Sequence, residues 1–147
     1  MPRILIIDDE PLVRTVLRSL LEREGYTVME ASNGRAGLAL WRHTPSDLVL
    51  TDMFMPHQDG IEVIVQLTRI WPQAKIIAMT GGAKNGDFTS TVASAALRLG
   101  AQHILMKPFT KRTLLAAVSA GLNHRKETRD ETKGSEQRLP VLLQGMQ

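Results

Sequence analysis

Four polar positions lie at or just after the ends of short apolar runs of the sequence, and their side chains could do chemistry together. They are the acidic segment Asp8-Asp9-Glu10, the carboxylate Asp52, the hydroxyl of Thr80 and the amine of Lys107. Carboxylates brought close together repel one another unless a cation neutralises them. Oxygen ligands without imidazole or thiolate favour a hard cation such as Mg²⁺. These residue types therefore predict a magnesium site with a hydroxyl and a lysine beside it.

A site of this kind could support phosphoryl transfer. Mg²⁺ usually keeps water ligands that a phosphoryl oxygen can replace, and one of the carboxylates could attack phosphorus and become an aspartyl phosphate. Lys107 would supply positive charge to one phosphate oxygen, and the Thr80 hydroxyl could donate a hydrogen bond to another. Each feature alone is commonplace, since acidic pairs often cap helices. The prediction depends on all four meeting at one place.

The apolar runs before these residues are typical of buried β-strands. Most are rich in Ile, Val or Leu and do not alternate with polar residues, which indicates strands buried on both faces, as in a parallel sheet. The five predicted strands are Ile4–Ile7, Tyr26–Ala31, Leu48–Leu50, Ile76–Met79 and Ile104–Met106.

Segments with helical spacing of apolar residues separate these strands. The predicted helices are Pro11–Glu24, Asn33–His43, Ile61–Trp71, Phe88–Leu99 and Thr110–Leu122. Pro11 suits a first helical turn, and Thr110 could cap the last helix. Five βα units in succession predict an α/β fold with a parallel sheet and helices on both faces. Ligands of such sheets lie outside the carboxyl ends of the strands, where the four polar positions fall.

Composition limits the classes of protein that this chain could be. Its 147 residues suit one domain, and the absence of cysteine excludes disulfides and cysteine zinc sites. A net charge of +3 with 4% aromatic residues does not suggest a nucleic-acid surface. The first apolar run, Ile4–Ile7, is too short for a signal peptide or membrane span, which favours a cytoplasmic protein. We expect a domain over residues 1–122 and a polar tail over residues 123–147.

The motifs at the predicted strand ends resemble those of the receiver domain of two-component response regulators. The matching segments are Asp8-Asp9, Asp52-Met-Phe-Met-Pro56-His-Gln-Asp59-Gly60, Thr80 and Lys107-Pro108-Phe109. The resemblance covers residues 3–122 and implies a flavodoxin-like doubly wound sheet of order 2-1-3-4-5. It also implies a regulator that takes a phosphoryl group from a histidine kinase or phosphotransfer protein, rather than an enzyme acting on a metabolite.

The resemblance further implies a role for each acidic residue. Asp52 is expected to accept the phosphoryl group. Asp9, Asp52 and the backbone carbonyl of Phe54 would bind Mg²⁺ directly, while Asp8 would act through a bound water or assist the geometry. By the same resemblance, Thr80 would be the switch residue, whose hydroxyl is drawn to the phosphoryl group, and Lys107 would be the phosphate-binding lysine.

Near the lysine, the resemblance implies a cis peptide between Lys107 and Pro108, a rare form tolerated before proline. The sequence departs from the family at two places. Family members commonly carry Tyr or Phe three residues before the lysine, where this chain has Ile104. The segment Gly81–Gly86 after Thr80 is rich in glycine and belongs to a stretch longer than in many receivers. It is either a mobile segment that responds to phosphorylation or a plain surface loop.

Three other functions compete with a phosphorylated receiver. An interaction module with a vestigial site would bind its partner equally well with and without phosphate, and Ile104 motivates this alternative. Aspartyl phosphatases and phosphotransferases place Asp-x-Asp after the first strand, whereas this chain has adjacent Asp8 and Asp9. A flavodoxin needs a Ser/Thr/Gly phosphate loop there, and Asp8-Asp9-Glu10 would repel that phosphate.

The expected partners are proteins. By analogy with the family, a downstream target would bind the face made by helix four, strand five and helix five, with Leu97, Leu99, Leu114 and Leu115 on or beneath it. A homodimer is an open alternative. No helix-turn-helix pattern follows residue 122, so we expect no direct nucleic-acid contact and no membrane contact.

Overall fold

The computed structural model of the protein describes residues 1–55, 60–81 and 86–124, with the backbone alone for residues 86–90. Pro56, Asp59, most of the Gly81–Gly86 segment and the predicted tail from residue 125 onward lie outside the described residues. Within the described part, five βα units follow one another. They are β1 (Arg3–Ile7), α1 (Pro11–Arg23), β2 (Thr27–Ala31), α2 (Gly34–His43), β3 (Leu48–Asp52), α3 (Gly60–Ile70), β4 (Ile76–Gly81), α4 (Gly86–Leu99), β5 (His103–Lys107) and α5 (Lys111–Asn123).

The strands form one parallel sheet in the order β2-β1-β3-β4-β5. This is the predicted doubly wound topology. Each predicted strand is present, but β3, β4 and β5 continue one or two residues further than the apolar runs did. Asp52 and Lys107 are consequently the last residues of their strands, because backbone pairing with the neighbouring strand extends past the apolar residues.

Alternate residues along the strands supply two separate cores. One core lies between the sheet and helices α2, α3 and α4, and it contains Leu5, Val49 and Ala78. The other lies between the sheet and helices α1 and α5, and it contains Ile4, Leu50 and Met79. Strand side chains point alternately to the two faces, so a strand with both faces covered needs an unbroken apolar run. This is why the runs did not alternate with polar residues.

Local signals set the beginnings of the helices. Asn33 accepts a hydrogen bond from the Ala36 backbone at 2.8 Å, so α2 begins one residue later than predicted, at Gly34. Thr110 caps α5 as predicted, in a reciprocal capping box with Thr113. None of the described helices is both long and apolar enough to cross a membrane.

Candidate functional site

The predicted site residues lie at the carboxyl end of the sheet, on four neighbouring strands. Asp8 follows β1, Asp52 ends β3, Thr80 is the second-last residue of β4, and Lys107 ends β5. Asp8 and Thr80 have no exposed surface and Asp52 is 4% exposed. Buried polar groups at one edge of an otherwise apolar sheet require partners, and those partners define the site.

Three carboxylates come together at this edge. Ligand oxygens of Asp8, Asp9 and Asp52 all lie within 4.8 Å of one another. The convergence follows from parallel pairing, since β1 and β3 are adjacent and end at the same level of the sheet. Three negative charges at such short range need compensation. An all-oxygen donor set of this kind fits a hard divalent cation such as Mg²⁺.

Lys107 bridges two of the three carboxylates. Its Nζ lies 2.9 Å from Asp8 Oδ2 and 3.6 Å from Asp52 Oδ2. Burial alone would lower the pKa of Lys107, but the hydrogen bond to Asp8 and the charges of Asp52 and Glu10 outweigh it and raise that pKa. The lysine therefore stays charged and offsets part of the acidic charge.

Backbone amides orient the second carboxylate oxygen of Asp8 and of Asp52. Asp8 Oδ1 accepts a hydrogen bond from the Glu10 N–H at 2.9 Å, and Asp52 Oδ1 accepts one from the Phe54 N–H at 3.3 Å. Arg14 on α1 donates to the Asp8 backbone carbonyl at 2.7 Å. Asp8 is therefore held by its backbone and by both of its carboxylate oxygens. Asp52 is held less tightly, because its lysine contact is longer.

Burial is the largest influence on the pKa of Asp52. Burial raises the pKa of Asp52 to about 6, and the negative charges of Asp8 and Asp9 act in the same direction. Lys107 and the Phe54 amide oppose the increase without cancelling it. The carboxylate of Asp52 is thus destabilised until further positive charge reaches it.

Gly60 allows α3 to begin against the end of β3. A β-carbon at position 60 would lie 2.4 Å from the Asp52 backbone oxygen and 2.7 Å from Met53 Cα. The Gly60 N–H donates to the Met53 carbonyl at 3.2 Å, which explains the close approach. A larger residue would clash with backbone atoms, which cannot move aside as a flexible side chain can. Gly60 therefore lets the start of α3 pack against the backbone at the end of β3, next to Asp52.

Thr80 contacts β5 rather than the acidic residues. Its hydroxyl donates a hydrogen bond to the thioether sulfur of Met106 at 3.1 Å. Ile104 is partly buried and packs against the core on the α4 side of the sheet. The Lys107–Pro108 peptide is cis, as predicted.

A family model described as the response regulator receiver domain matches residues 4–119. The chain belongs to the receiver-domain family. Members are generally non-enzymatic phosphoacceptors of two-component systems, so the predicted family and the general function are confirmed.

Curated relatives of the receiver include both short and long proteins. Chemotaxis protein CheY of Thermotoga maritima is 30% identical over 118 residues, which cover 80% of this chain and 94% of CheY. Protein PilH of Pseudomonas aeruginosa is 35% identical over 122 residues, covering 83% and 98% of the two chains. The regulatory protein PhoP of Bacillus subtilis is 37% identical over 118 residues, covering 80% of this chain and 47% of PhoP. The chain thus spans nearly all of some relatives and about half of others.

Solved receiver domains share the fold. A receiver domain protein from Clostridium thermocellum superposes with a TM-score of 0.75 at 33% identity, covering 84% of this chain and 95% of that chain. A CheY-like receiver from Methanospirillum hungatei gives a TM-score of 0.74 at 32% identity, covering 84% and 94%. The flavodoxin-like fold class is therefore confirmed.

Sequence reasoning missed two residues of the receiver site. Arg14 contacts the Asp8 carbonyl, and Met106 accepts from Thr80. Arg14 had no local signal, because its other partner, Glu30, is on β2. Met106 could have been found from strand register, since β4 pairs with β5 and Thr80 lies opposite Met106.

Proposed function

We propose that Asp52 is the phosphoacceptor of a Mg²⁺-dependent response regulator. The observation that carries the proposal is the cluster of Asp8, Asp9 and Asp52 with Lys107 at one end of the sheet. Of the two carboxylates that Lys107 contacts, Asp52 suits nucleophilic attack better. Asp8 is wholly buried, and its two oxygens are taken at 2.9 Å by Lys107 and by the Glu10 amide. Asp52 makes longer contacts and so has an oxygen available for phosphorus.

Mg²⁺ would be held by Asp9, Asp52 and the Phe54 backbone carbonyl, with Asp8 acting through a water or assisting the geometry. When bound, the ion supplies positive charge to the acidic cluster and to the phosphoryl oxygens. The elevated pKa of Asp52 supports this assignment, because a carboxylate that is costly to ionise without metal gains most from a nearby cation.

Lys107 and Thr80 would contact the phosphoryl group. Lys107 already faces Asp52 Oδ2 at 3.6 Å, so a phosphoryl group on Asp52 would bring new negative charge within reach of its amine. Thr80 carries a buried hydroxyl on the adjacent strand β4 and would donate to a second oxygen. Positioning and charge compensation are the main protein contributions to phosphoryl transfer.

We propose that a histidine kinase or phosphotransfer protein donates the phosphoryl group and that a protein target recognises the phosphorylated receiver. Both interactions would take place in the cytoplasm. The receiver would make no direct contact with nucleic acid or membrane. The target would bind the face made by α4, β5 and α5, with a homodimer through that face as an alternative. Leu97 and Leu99 on α4 are 48% and 39% exposed. On α5, Leu114 is buried in the core, whereas Leu115 is partly buried and packs against it. Residues 1–122 would act as the receiver, with 123–147 as a tail.

Phosphorylation in solution tests the proposal. Wild-type protein with Mg²⁺ and a small phosphodonor should gain one phosphoryl group by intact-mass spectrometry, and Asp52→Asn should gain none. Glu22→Gln is the matched control, because Glu22 is exposed on α1 and pairs with Arg18 away from the acidic cluster, and it should be labelled like the wild type. An unlabelled wild-type protein, or an Asp52→Asn protein labelled at the wild-type rate, would contradict the assignment.

A further inference from the structure

We propose that Met106, whose sulfur accepts a hydrogen bond from the buried Thr80 hydroxyl, reports phosphorylation to the surface of the receiver. The inference rests on the proposed phosphorylation of Asp52 and deepens it. In the resting state the Met106 thioether holds the Thr80 hydroxyl, and a phosphoryl group on Asp52 draws that hydroxyl away.

The contact joins the interior of the receiver to its surface. Thr80 and Met106 are register partners on β4 and β5, and the hydroxyl donates to the sulfur at 3.1 Å. Thr80 has no exposed surface, whereas Met106 is 51% exposed. A change in the orientation of the buried hydroxyl therefore acts directly on a side chain that a partner protein can touch.

Two hydrogen-bond acceptors, the Met106 sulfur and a phosphoryl oxygen on Asp52, would compete for the hydroxyl hydrogen of Thr80. A threonine hydroxyl has a single hydrogen to donate, and a thioether sulfur is a weak acceptor. A phosphoryl oxygen carries charge, and hydrogen bonds to charged acceptors are roughly twice as strong as those between neutral groups. The hydroxyl should therefore leave Met106 when Asp52 is phosphorylated and return when the phosphate is lost.

Position 106 suits this role better than position 104. Ile104 is partly buried and packs against the core that contains Ala96 of α4, so it is confined. Met106 lies two residues further along β5 and hence on the same face of the sheet. Methionine has flexible torsions that let it repack once its sulfur is released. The change would appear on the α4 side of β5.

Methyl NMR can follow this contact. The chain has seven methionines, and Met106→Leu identifies the Met106 resonance in protein labelled with ¹³C at the methionine methyl groups. Mg²⁺ with beryllofluoride, a phosphoryl mimic, should shift the Met106 methyl resonance and leave that of Met29, on the opposite edge strand β2, in place. Thr80→Val without the mimic should shift the Met106 resonance as well, because it removes the hydroxyl.

A double-mutant cycle separates this role from simple packing. Met106→Leu keeps most of the side-chain volume but removes the sulfur, so the freed hydroxyl should bind the mimic about two- to fivefold more tightly, the size expected from one weak net hydrogen bond. In a Thr80→Val background the same change should alter the affinity by less than the error of measurement. Met29→Leu is the control and should bind the mimic like the wild type.

The outcomes distinguish the two proposals. If the mimic binds but the Met106 resonance does not move and Met106→Leu leaves the affinity unchanged, the role of Met106 is wrong while phosphorylation of Asp52 stands. An equal effect of Met106→Leu with and without the Thr80 hydroxyl would also overturn the role, since it would indicate packing alone. If wild-type protein binds no mimic, the proposed function fails and this inference fails with it.

Discussion

Two charged clusters of the receiver differ in how well their acidic residues are balanced by basic ones. The acidic cluster consists of Asp8, Asp9, Asp52 and Lys107 at the carboxyl end of the sheet. The arginine cluster consists of Arg14, Arg18 and Glu30, and it joins α1 to the edge strand β2. Three acids face one base in the first cluster. In the second, two bases face Glu30, and Arg18 also pairs with the exposed Glu22.

The two clusters shift the pKa of their central carboxylate in opposite directions. Hydrogen bonds from Arg18 and Arg14 hold the pKa of Glu30 below its usual range, against a smaller effect of burial. Burial raises the pKa of Asp52 to about 6 despite Lys107. In the arginine cluster, the ion pairs stabilise the folded state. In the acidic cluster, the carboxylates repel one another, and a bound cation would reduce that repulsion. The difference indicates which cluster is built for structure and which for a ligand.

The largest expected change in the free energy of unfolding comes from removing the charge of Asp52, the central carboxylate of the acidic cluster. Because the folded pKa of Asp52 exceeds its ordinary value of 3.8, ionisation destabilises the folded state progressively as the pH rises from about 4 to above 6. Asp52→Asn in metal-free buffer should therefore raise the free energy of unfolding by about 3 kcal/mol at pH 8. The gain should fall to about half at pH 5. Urea unfolding at the two pH values measures both numbers.

Glu30→Gln serves as the comparison in the same experiment, since it removes a carboxylate from the other cluster. It should show no gain in stability at pH 8. If Asp52→Asn were no more stable than the wild type at pH 8 without metal, the account of stored charge in the acidic cluster would be wrong.

Binding of Mg²⁺ should give the next largest change in the free energy of unfolding. A ligand that binds only the folded state at ten times its dissociation constant adds about 1.4 kcal/mol to the free energy of unfolding. Wild-type protein and Glu30→Gln should both gain this amount, while Asp9→Asn and Asp52→Asn should lose most of it. Urea unfolding over a MgCl₂ series, with KCl added to equal ionic strength, gives the measurement. A full response in Asp9→Asn would remove that residue from the ligand set.

The smallest change in the free energy of unfolding is expected when a carboxylate of the arginine cluster is removed. The lowered pKa of Glu30 means that its ion pairs stabilise the fold above pH 4.5, and that this contribution is lost as the pH falls through the folded pKa. Glu30→Gln should cost about 0.5–1 kcal/mol at pH 7, since both arginines are partly exposed and solvent screens them. Glu22→Gln, which removes an exposed i,i+4 pair with Arg18, should cost about 0.3 kcal/mol. Equal losses in the two variants would show that burial does not strengthen the Glu30 contacts.

Most of the fold could be predicted because its signals are local. Unbroken apolar runs identified the strands, and helical spacing with Pro11 and Thr110 identified helices that the structure confirms. The ends of the strands were less predictable. Asp52 and Lys107 are polar, so only pairing with the neighbouring strand could show that they belong to β3 and β5.

The sequence by itself determined which chemical groups the receiver has and that they lie at the ends of strands one, three, four and five. It could do so because a buried parallel sheet leaves a pattern of apolar runs that can be read residue by residue. Only the tertiary structure decided how these groups pair. Lys107 contacts Asp8 across 99 positions of the chain, and Thr80 donates to Met106 rather than to an acid. Such pairings depend on strand register and side-chain direction, which arise when distant segments pack together, and no local pattern specifies them.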